Sequence, residues 1–296
     1  MTFPEEVSKK RVLFIVNPTS GSQPARFRED FLKKYLDVDR YEYEVYNTTK
    51  AGDGFHIVRK RLEHFDGFVA VGGDGTVNEV FKAILNSNKW FSVIPNGSGN
   101  GLARSLGIPM NPEKAVRRLN KARIRMIDYG ILNDQPFINV AGIGFDARVA
   151  NKFKKSTRRG LQSYVKIALD EYRKFKSRKV RISFNGKKFK RRILLTSFAN
   201  SSQFGNNAHI APKARLNDGK LHIITFKKFH WLSFPFLAWL LFNRALDKSR
   251  LYKDYVVDEA VIRSKKKLDL HIDGEAAGKV KKVKLKVVPQ GVKVLA

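Results

Sequence analysis

Apolar runs and amphipathic stretches alternate along the first half of the chain. Continuous apolar segments such as GFVAVGG predict buried strands, and the period-two alternation of YEYEVYN predicts a strand with one buried face. Regular alternation of strand and helix predicts βαβ units and a doubly wound parallel sheet, with ligands at the carboxyl ends of its strands. The predicted strands are 11–17, 41–47, 67–73 and 90–96, and the predicted helices are 25–36, 54–64 and 76–85.

Short strands dominate the second half. Residues 179–200 predict a hairpin about the turn NGK, and further short strands separated by turn signals, among them 260–265 and 267–274, continue to the last residue. A basic stretch near 157–176 and an apolar stretch over 230–246 are the helical exceptions. We therefore predict an α/β domain of residues 1–129 and a mostly antiparallel β domain of residues 130–296. The last strand is a candidate to return to the first domain.

Three glycine-rich turns, NPTSG, GGDGT and PNGSGNG, follow predicted strands. Polyphosphate needs backbone N–H groups that no Cβ obstructs, with a helix N-terminus behind them. One such turn alone is better explained as an ordinary strand-to-helix connection. Three at the same edge of one predicted sheet favour a phosphate site.

Other phosphate-binding patterns are absent from the sequence. No G-x-x-x-x-G-K-[ST] occurs, and no G-x-G-x-x-G follows the first strand. Asp74 inside the second turn is informative, because a carboxylate beside polyphosphate is repulsive unless it meets Mg²⁺ or takes a proton. We therefore predict a mechanistic role for Asp74.

Composition excludes several classes of protein. With 43% hydrophobic residues the chain can form a real core, and with no cysteine it has neither disulfides nor thiolate metal sites, as in a reducing cytoplasm. The first residues lack a signal-peptide pattern. The formal net charge is +31, of which residues 130–296 carry +25. Such a field attracts an anionic membrane or nucleic acid, but no nucleic-acid module is recognisable and no nucleic-acid partner is expected.

The longest apolar stretch, WLSFPFLAWLLF at 231–242, is too short to span a bilayer. Basic residues flank it. It either binds a membrane through an apolar face rimmed by cations or packs as a core helix of the second domain.

The motifs GGDGTVNEV and PNGSGNGLAR together resemble those of the diacylglycerol kinase catalytic domain family, which includes bacterial lipid kinases and sphingosine kinases. The resemblance continues through FINVAGIGFDA, IAPKARLNDGKLHIITF and HIDGE, and thus covers nearly the whole chain. It implies a cleft between the two domains that holds ATP and Mg²⁺, and transfer of the γ-phosphoryl group to a lipid hydroxyl.

The same resemblance implies the residues of the nucleotide site, with Arg104 shaping the third turn. The implied ATP-binding residues are Asn17, Pro18, Thr19, Ser20, Gly21, Thr48, Gly72, Gly73, Asp74, Gly75, Thr76, Asn78, Glu79, Gly97, Ser98, Gly99 and Asn100.

The resemblance also implies catalytic and metal-binding residues. Asp273 and Glu275 of HIDGE are the implied general-base pair, and Asp74 competes for that role, although we favour Asp74 at the metal. Taken alone, HIDGE and the NDG around Asp218 would each be an ordinary turn. Bacterial diacylglycerol kinases usually carry an aspartate where this chain has Gly101, which removes one expected carboxylate. The implied metal ligands are Asp218, the backbone carbonyls of Arg215 and Lys220, Asp74 and Asp128.

These features predict an ATP- and Mg²⁺-dependent lipid kinase at the cytoplasmic membrane face. A diacylglycerol-type acceptor is favoured, and the expected partners are a lipid alcohol and an anionic membrane surface. The alternatives are a kinase of sphingoid long-chain bases, a soluble enzyme similar to NAD kinase, and a non-catalytic protein that binds membranes or nucleic acid. The sequence leaves a homodimer open.

Overall fold

A computed structural model describes residues 9–21, 29–155 and 161–296. The chain forms two compact units. The first comprises the described residues up to Met126 together with Val292–Ala296, and the second comprises the described residues of Ile127–Gly291.

The first unit is the predicted α/β unit. Its strands run parallel in the order β2-β1-β3-β4, and the end of a long strand from the second unit, β14 (Glu275–Leu295), adds in parallel to β4 through Lys293 and Val294. The remaining elements are β1 (Lys10–Val16), α1 (Glu29–Tyr35), β2 (Tyr41–Asn47), α2 (Asp53–Lys60), β3 (Gly67–Gly72), α3 (Asp74–Ile84), β4 (Trp90–Pro95), α4 (Gly101–Ser105) and α5 (Pro112–Leu119).

Burial along these strands follows their position in the sheet. All six residues of β3 and all six of β4 are buried, as a parallel sheet covered on both faces requires. The edge strand β2 alternates between buried or half-buried and exposed positions over most of its length. Helix α3 packs against β1, β3 and β4, whereas α5 packs against β4 and contacts α1. The predicted parallel sheet is thus confirmed.

Helix boundaries in the first unit differ from the predicted ones. Helix α3 begins at Asp74 rather than at residue 76, because Gly73 is extended and an acidic residue in the first turn is favourable beside the helix dipole. Helix α2 ends at Lys60, and a single 3₁₀ turn follows at Leu62–His64. Residues 22–28, which include the start of the predicted helix 25–36, lie outside the described residues.

The second unit is mostly antiparallel, which confirms the predicted class. Its main sheet has the order β12-β11-β10-β7-β13-β14, with β8 paired to β13, and all these pairings are antiparallel. The elements are β5 (Ile124–Leu132), β6 (Gln135–Phe137), β7 (Val140–Gly144), α6 (Phe145–Lys155), α7 (Leu161–Lys174), β8 (Arg178–Phe184), β9 (Lys187–Ile193), β10 (Leu195–Ala199), β11 (Leu221–Phe226), α8 (Phe234–Phe242), β12 (Tyr252–Val257) and β13 (Glu259–Ile272).

The predicted NGK hairpin is formed by β8 and β9. Asn185 and Gly186 both have positive φ, of 45° and 72°, which is the geometry of a tight hairpin turn. The segments predicted as separate strands at 260–265 and 267–274 instead form the single strand β13. A register shift between Arg263 and Leu268 accommodates the lysine run.

The helix predicted over 230–246 is shorter and broken. A 3₁₀ turn at Trp231–Ser233 precedes α8, whose first turn contains Pro235. At its end the Asn243 side chain donates to the carbonyl of Trp239 (2.8 Å). The helix cannot continue through Arg244, because this residue has a left-handed φ of 56°. Within the described ranges, no helix is both long and apolar enough to cross a bilayer.

A buried carboxylate joins the two helices α6 and α7. Glu171 is 1% exposed and is paired with Arg148 and Lys152. Burial by itself raises the pKa of Glu171, but hydrogen bonds from Lys152 and Arg148 outweigh it and leave the pKa below its ordinary value. The ionised form is therefore the one that stabilises this helix pair.

We expect Glu171→Gln to destabilise the protein by about 1 kcal/mol near neutral pH, because Arg148 and Lys152 lose their carboxylate partner but are exposed enough to be solvated. A carboxyl with a lowered folded pKa stabilises fully above its unfolded pKa, and this contribution is lost as the pH falls through the folded pKa. Urea unfolding at several pH values should thus show a difference from the wild type that shrinks in acid. Exposed Asp170 on α7 provides the control, since Asp170→Asn should change little. A difference independent of pH would contradict this role.

Candidate active site

The first glycine turn is closed by Asn17. The Asn17 side-chain oxygen accepts hydrogen bonds from the Thr19 backbone N–H (3.0 Å) and the Thr19 hydroxyl (2.8 Å), and its carbonyl accepts from Ser20. Gly21 has a φ of 78°, and a Cβ there would lie 2.4 Å from the Asn96 carbonyl oxygen. The turn therefore requires glycine because of its positive φ and its packing against Asn96, and its contact with phosphate stays a prediction.

The second turn places the N-terminus of α3 directly after β3. The residue before the helix is Gly73, which has no side chain to cap it, so the first N–H groups of α3 receive no side-chain cap. A Cβ at Gly72 would lie 2.4 Å from the Thr76 hydroxyl oxygen. Thr76 and Asn78 are buried in the first turns of the helix. An anion is the natural partner of such a helix end.

The third turn is organised by Asn100. Its side-chain amide donates to the Gly97 carbonyl (2.7 Å), and its oxygen accepts from the Gly97 N–H (3.0 Å). Asn100 itself has a φ of 52° and is buried. Arg104 donates to the Gly99 carbonyl (3.1 Å), as the shaping role implied for it requires. Ser98 is exposed at the tip of the turn.

The three turns meet in the structure. Asn96 donates from its side chain to the Ser20 carbonyl (3.0 Å), which ties the third turn to the first. A Cβ at Gly97 would lie 2.4 Å from the Gly73 Cα, so the second and third turns touch backbone to backbone. The sequence analysis did not single out Asn96, although its place between β4 and the third turn marks it as a linking residue.

Asp74 links the second turn to the third through its carboxylate. One oxygen accepts from the Asn100 N–H (3.0 Å) and the other from the Gly101 N–H (2.7 Å). Asp74 therefore holds the third turn in place, and a role at a metal ion stays a prediction.

Glu79 and Thr48 have contacts of a different kind. The two Glu79 oxygens accept from the N–H groups of Gly52 (2.7 Å) and Gly54 (3.0 Å) at the start of α2. The Thr48 hydroxyl donates to the Val16 carbonyl at 3.3 Å. Glu79 thus satisfies the N-terminus of a neighbouring helix, and contact of either residue with nucleotide stays a prediction.

We expect Gly97→Ala to weaken the predicted binding of nucleotide, because its Cβ would force the second and third turns apart. A loss of affinity of at least about tenfold would follow from even ~1.4 kcal/mol of distortion. Calorimetric titration with Mg·ATP provides the measurement. Gly107→Asn is the matched control, since the space there is open and Asn tolerates the positive φ of 71°. Unchanged affinity in Gly97→Ala would show that the turns do not need this close approach.

In the second unit, Asp273 is bound by three backbone donors. Its carboxylate accepts from the N–H groups of Ile138 (3.0 Å), Asn139 (2.8 Å) and Val140 (3.2 Å). Asp273 has a φ of 47°, and the next residue, Gly274, has a φ of 81°. This geometry makes Asp273 the residue that joins the HIDGE turn to the start of β7, since three N–H donors stabilise the carboxylate as an anion.

Glu275 is the first residue of β14, directly after this turn, and its side chain is exposed. It faces Ile272 across the hairpin formed by β13 and β14. The two carboxylates of HIDGE thus have unlike surroundings, because Asp273 is engaged by the backbone and Glu275 extends toward solvent. A general base must be able to accept a proton from an acceptor hydroxyl, and for both carboxylates that role stays a prediction.

Asp128 is fully buried and organises two loops. Its oxygens accept from the N–H groups of Gly219 and Gln290, both at 2.7 Å, and its own N–H donates to the Leu216 carbonyl (2.6 Å). These contacts account for a carboxylate with no exposed surface. A metal-binding role for Asp128 stays a prediction.

The loop that precedes β11 contains the other predicted metal ligands. Asp218 is exposed and accepts from the Lys220 N–H (3.1 Å), an ordinary turn contact. Gly219 has a φ of 69°, and Arg215 is exposed. In the described part of the chain, no three His, Asp or Glu side chains converge in a way that could hold a metal ion. A metal bound here would need backbone carbonyls or another molecule as further ligands.

Sequence reasoning missed a buried cluster behind the HIDGE strand. Asp146 accepts from the Ser197 hydroxyl (3.1 Å) and lies 3.3 Å from His271 Nε2, and all three residues are buried. A Cβ at Gly142 would lie 2.4 Å from the Asp146 carboxylate, so the cluster depends on that glycine. Two features of the sequence could have revealed this cluster. One is the aspartate of GIGFDA, and the other is the polar residue His271 at a buried position of its strand, two residues before Asp273.

Glycine turns that meet at a helix N-terminus are typical of sites that bind phosphate groups. Comparison with known proteins gives the family. Residues 11–132 match the diacylglycerol kinase catalytic domain, and residues 139–296 match the YegS C-terminal NAD kinase beta sandwich-like domain. The chain belongs to the diacylglycerol kinase family and is a lipid kinase.

Individual relatives cover nearly the whole chain. A diacylglycerol kinase of Bacillus subtilis (strain 168) is 31% identical over 281 residues, which are 91% of this chain and 91% of the relative. A diacylglycerol kinase of Staphylococcus aureus (strain bovine RF122 / ET3-1) is 28% identical over 282 residues, 92% and 88% of the two chains. The crystal structure of a protein described as a putative diacylglycerol kinase from Bacillus anthracis str. Sterne has the same fold, with a TM-score of 0.78 and 22% identity over 97% of this chain and 96% of its own.

Proposed function

We propose that this lipid kinase transfers the γ-phosphoryl group of ATP, in the presence of Mg²⁺, to the hydroxyl of a diacylglycerol-type lipid. The observation that carries the proposal is the meeting of three glycine turns at the uncapped N-terminus of α3. The names of the relatives favour diacylglycerol over a sphingoid base as the acceptor.

The first unit would hold the nucleotide. The N–H groups at the start of α3 receive no side-chain cap, so this helix end favours an anionic ligand. Thr76 and Asn78 lie in the first turns of the helix and would complete the polar lining. The turns at 17–21 and 97–100 use the N–H groups of Thr19, Gly97 and Asn100 for contacts within the protein, so they would shape the site around the ligand.

Asp74 would be the protein's carboxylate toward Mg²⁺. The ion usually keeps several waters and binds through one or two carboxylates plus substrate phosphates, so a complete protein cage is not needed. When bound, it neutralises the charge on the transferred group. The chain's own contribution is the orientation of Asp74, which the Asn100 and Gly101 N–H groups fix.

The second unit would supply the general base. We assign that role to Glu275, and we assign to Asp273 the positioning of the turn that carries Glu275. The supporting observation is the unlike engagement of the two carboxylates, with three backbone donors on Asp273. A base that accepts the proton of the acceptor hydroxyl raises its nucleophilicity as the phosphoryl group arrives.

We further propose that the enzyme works at an anionic membrane surface. Its lipid substrate resides in a bilayer, and residues 130–296 carry a net charge of +25. Binding through this charge requires no dimer, and a homodimer is a separate proposal that sedimentation tests.

The experiment that tests the function is incubation of the purified protein with labelled ATP, Mg²⁺ and a total lipid extract, followed by identification of the labelled product. Labelled phosphatidic acid is expected. Labelled sphingoid phosphate would move the acceptor class to long-chain bases. Labelling of no lipid, with Mg·ATP binding intact by calorimetry, would overturn the proposed reaction.

A further inference from the structure

Exposed apolar side chains concentrate at one place in the second unit. Among the described residues, five of the ten large hydrophobic side chains that are exposed lie within residues 231–242, and they include all the exposed aromatic ones. We call these five the aromatic face. They are Trp231 (58% exposed), Leu232 (64%), Phe236 (60%), Trp239 (57%) and Phe242 (41%).

The geometry of α8 accounts for this exposure. Leu237 and Leu240 are buried and belong to the hydrophobic cluster beneath the helix. Phe236, Trp239 and Phe242 follow one another at spacings of three residues and share the outward side. The Phe236 and Trp239 rings stack with centroids 6.3 Å apart and an interplanar angle of 16°. The helix is thus held by one apolar side and presents a second apolar side to its surroundings.

The element that carries the face is fixed to the unit at both ends. At the start of α8, Phe234 packs edge-on against Tyr172 of α7, with ring centroids 5.3 Å apart. After the helix, the Arg244 side chain donates to His209 Nε2 (3.1 Å). The backbone N–H of His209 donates to the Leu241 carbonyl at the end of α8 (3.0 Å). An aromatic face on a fixed helix cannot fold away into the core, so its exposure calls for a partner.

Basic residues flank the aromatic face in the sequence but do not occur within it. Residues 231–242 contain no charged side chain. The one acidic residue of the flanks, Asp247, is paired with Lys213 at 3.2 Å. The exposed basic residues of the flanks are Lys227, Lys228, Arg244, Lys248 and Arg250. An uncharged aromatic surface between cations is complementary to a bilayer, with acyl chains below and anionic headgroups beside them.

We propose that the aromatic face inserts into the interfacial region of an anionic bilayer and is the docking surface of the enzyme. Trp231 and Trp239 lie at the depth of the headgroups, where aromatic rings with a polar tip are favoured. The flanking lysines and arginines contact the anionic headgroups. This inference rests on the proposed function at a membrane and adds to it the particular surface, so its test is binding measured without ATP.

Tryptophan fluorescence tests the insertion without any change to the face. The protein has three tryptophans, of which Trp90 is buried in the first unit and the other two belong to the face. In a Trp90→Phe background, vesicles of equal parts phosphatidylglycerol and phosphatidylcholine are expected to shift the emission to the blue. Lipids brominated near the headgroup end of the acyl chain are expected to quench it.

Vesicle sedimentation then measures the contribution of the face. We expect Trp231→Ser, Phe236→Ser and Trp239→Ser together to weaken binding to the same vesicles by at least about a hundredfold, because three large apolar side chains would no longer enter the interfacial region. The matched control is Ile124→Ser, Leu169→Ser and Val256→Ser, which removes three exposed apolar residues from three other elements. The control should sediment as the wild type does.

Four outcomes would overturn the proposal. Sedimentation without blue shift or quenching would show that charge alone holds the protein at the vesicle. Equal binding of the triple variant and its control would remove the face from the interaction. If the protein binds vesicles of phosphatidylcholine alone as tightly as the anionic vesicles, the anionic headgroups do not contribute to binding. If the wild type is a dimer in analytical ultracentrifugation and the triple variant is a monomer, the face binds a second copy of the chain.

Loss of kinase activity with vesicle binding intact would count against the proposed reaction and not against the docking surface.

Discussion

Glu275→Gln is expected to lower kcat by about a hundredfold to ten-thousandfold while the affinity for Mg·ATP stays unchanged. The glutamine side chain has the same shape but cannot take the proton of the acceptor hydroxyl. Because Glu275 is exposed at the start of β14, the substitution should leave the fold intact. The measurement is initial velocity with dispersed diacylglycerol, together with calorimetric titration of the nucleotide.

Asp273→Asn provides the matched comparison two residues away. The Asp273 carboxylate now accepts hydrogen bonds from the backbone N–H groups of Ile138, Asn139 and Val140. In the variant, the side-chain amide N–H would face at least one of these donors. Leaving such donors unpaired costs about 1–3 kcal/mol, so this variant should lower the midpoint of thermal unfolding as well as kcat. Glu275→Gln should lower kcat alone.

The two variants therefore separate a base from a positioning residue. If Asp273→Asn keeps its unfolding midpoint and loses activity while Glu275→Gln remains active, the base is Asp273 and our assignment is reversed. If both variants stay active and neither changes the pH profile, the general base lies outside HIDGE.

Much of the fold could be predicted because its signals are local. The runs ending in GFVAVGG and WFSVIPN are buried throughout, and only a sheet covered on both sides buries every residue of a strand. The hairpin turn at Asn185 and Gly186 is likewise set by two residues that accept positive φ. The joining of 260–265 and 267–274 into one strand was not predictable, since it depends on a register shift against β14.

The site shows the same division. That three turns need glycine follows from the sequence, and GGDGT and PNGSGNG were correctly placed at the ends of β3 and β4. That Gly97 touches Gly73, and that Asn96 reaches Ser20, follows only from the packing of distant segments. The same is true of HIDGE, where two carboxylates one residue apart differ only through the chain segment that Asp273 binds.

The sequence of the apolar stretch 230–246 could not decide between two alternatives. An uncharged segment was compatible with a core helix and with a membrane face, because periodicity carries no information when nearly every position is apolar. The structure shows that the segment has two sides, with Leu237 and Leu240 inward and Phe236 and Trp239 outward. Packing of the inner side against the second unit is thus observed, and contact of the outer side with a membrane stays a proposal.

Asp74→Asn is expected to remove most of the kinase activity through two separable effects. The first is local, because an Asn side chain offers one oxygen to the two N–H groups of Asn100 and Gly101, now held at 3.0 and 2.7 Å. One of these donors would then face an amide N–H. At about 1–3 kcal/mol for the unpaired donor, the third turn should loosen and nucleotide affinity fall by roughly five- to 150-fold.

The second effect concerns the metal. An amide carries no charge, so the variant should need a higher Mg²⁺ concentration for half-maximal activity at saturating ATP. Titration of Mg²⁺ against initial velocity, alongside calorimetry, measures the two effects apart. Glu63→Gln removes an exposed carboxylate elsewhere in the first unit and should behave as the wild type. A weakened nucleotide affinity with an unchanged Mg²⁺ requirement would limit Asp74 to holding the turn. A pH profile that loses its acidic limb in Asp74→Asn would instead assign the proton to Asp74, because only a titrating base produces that limb.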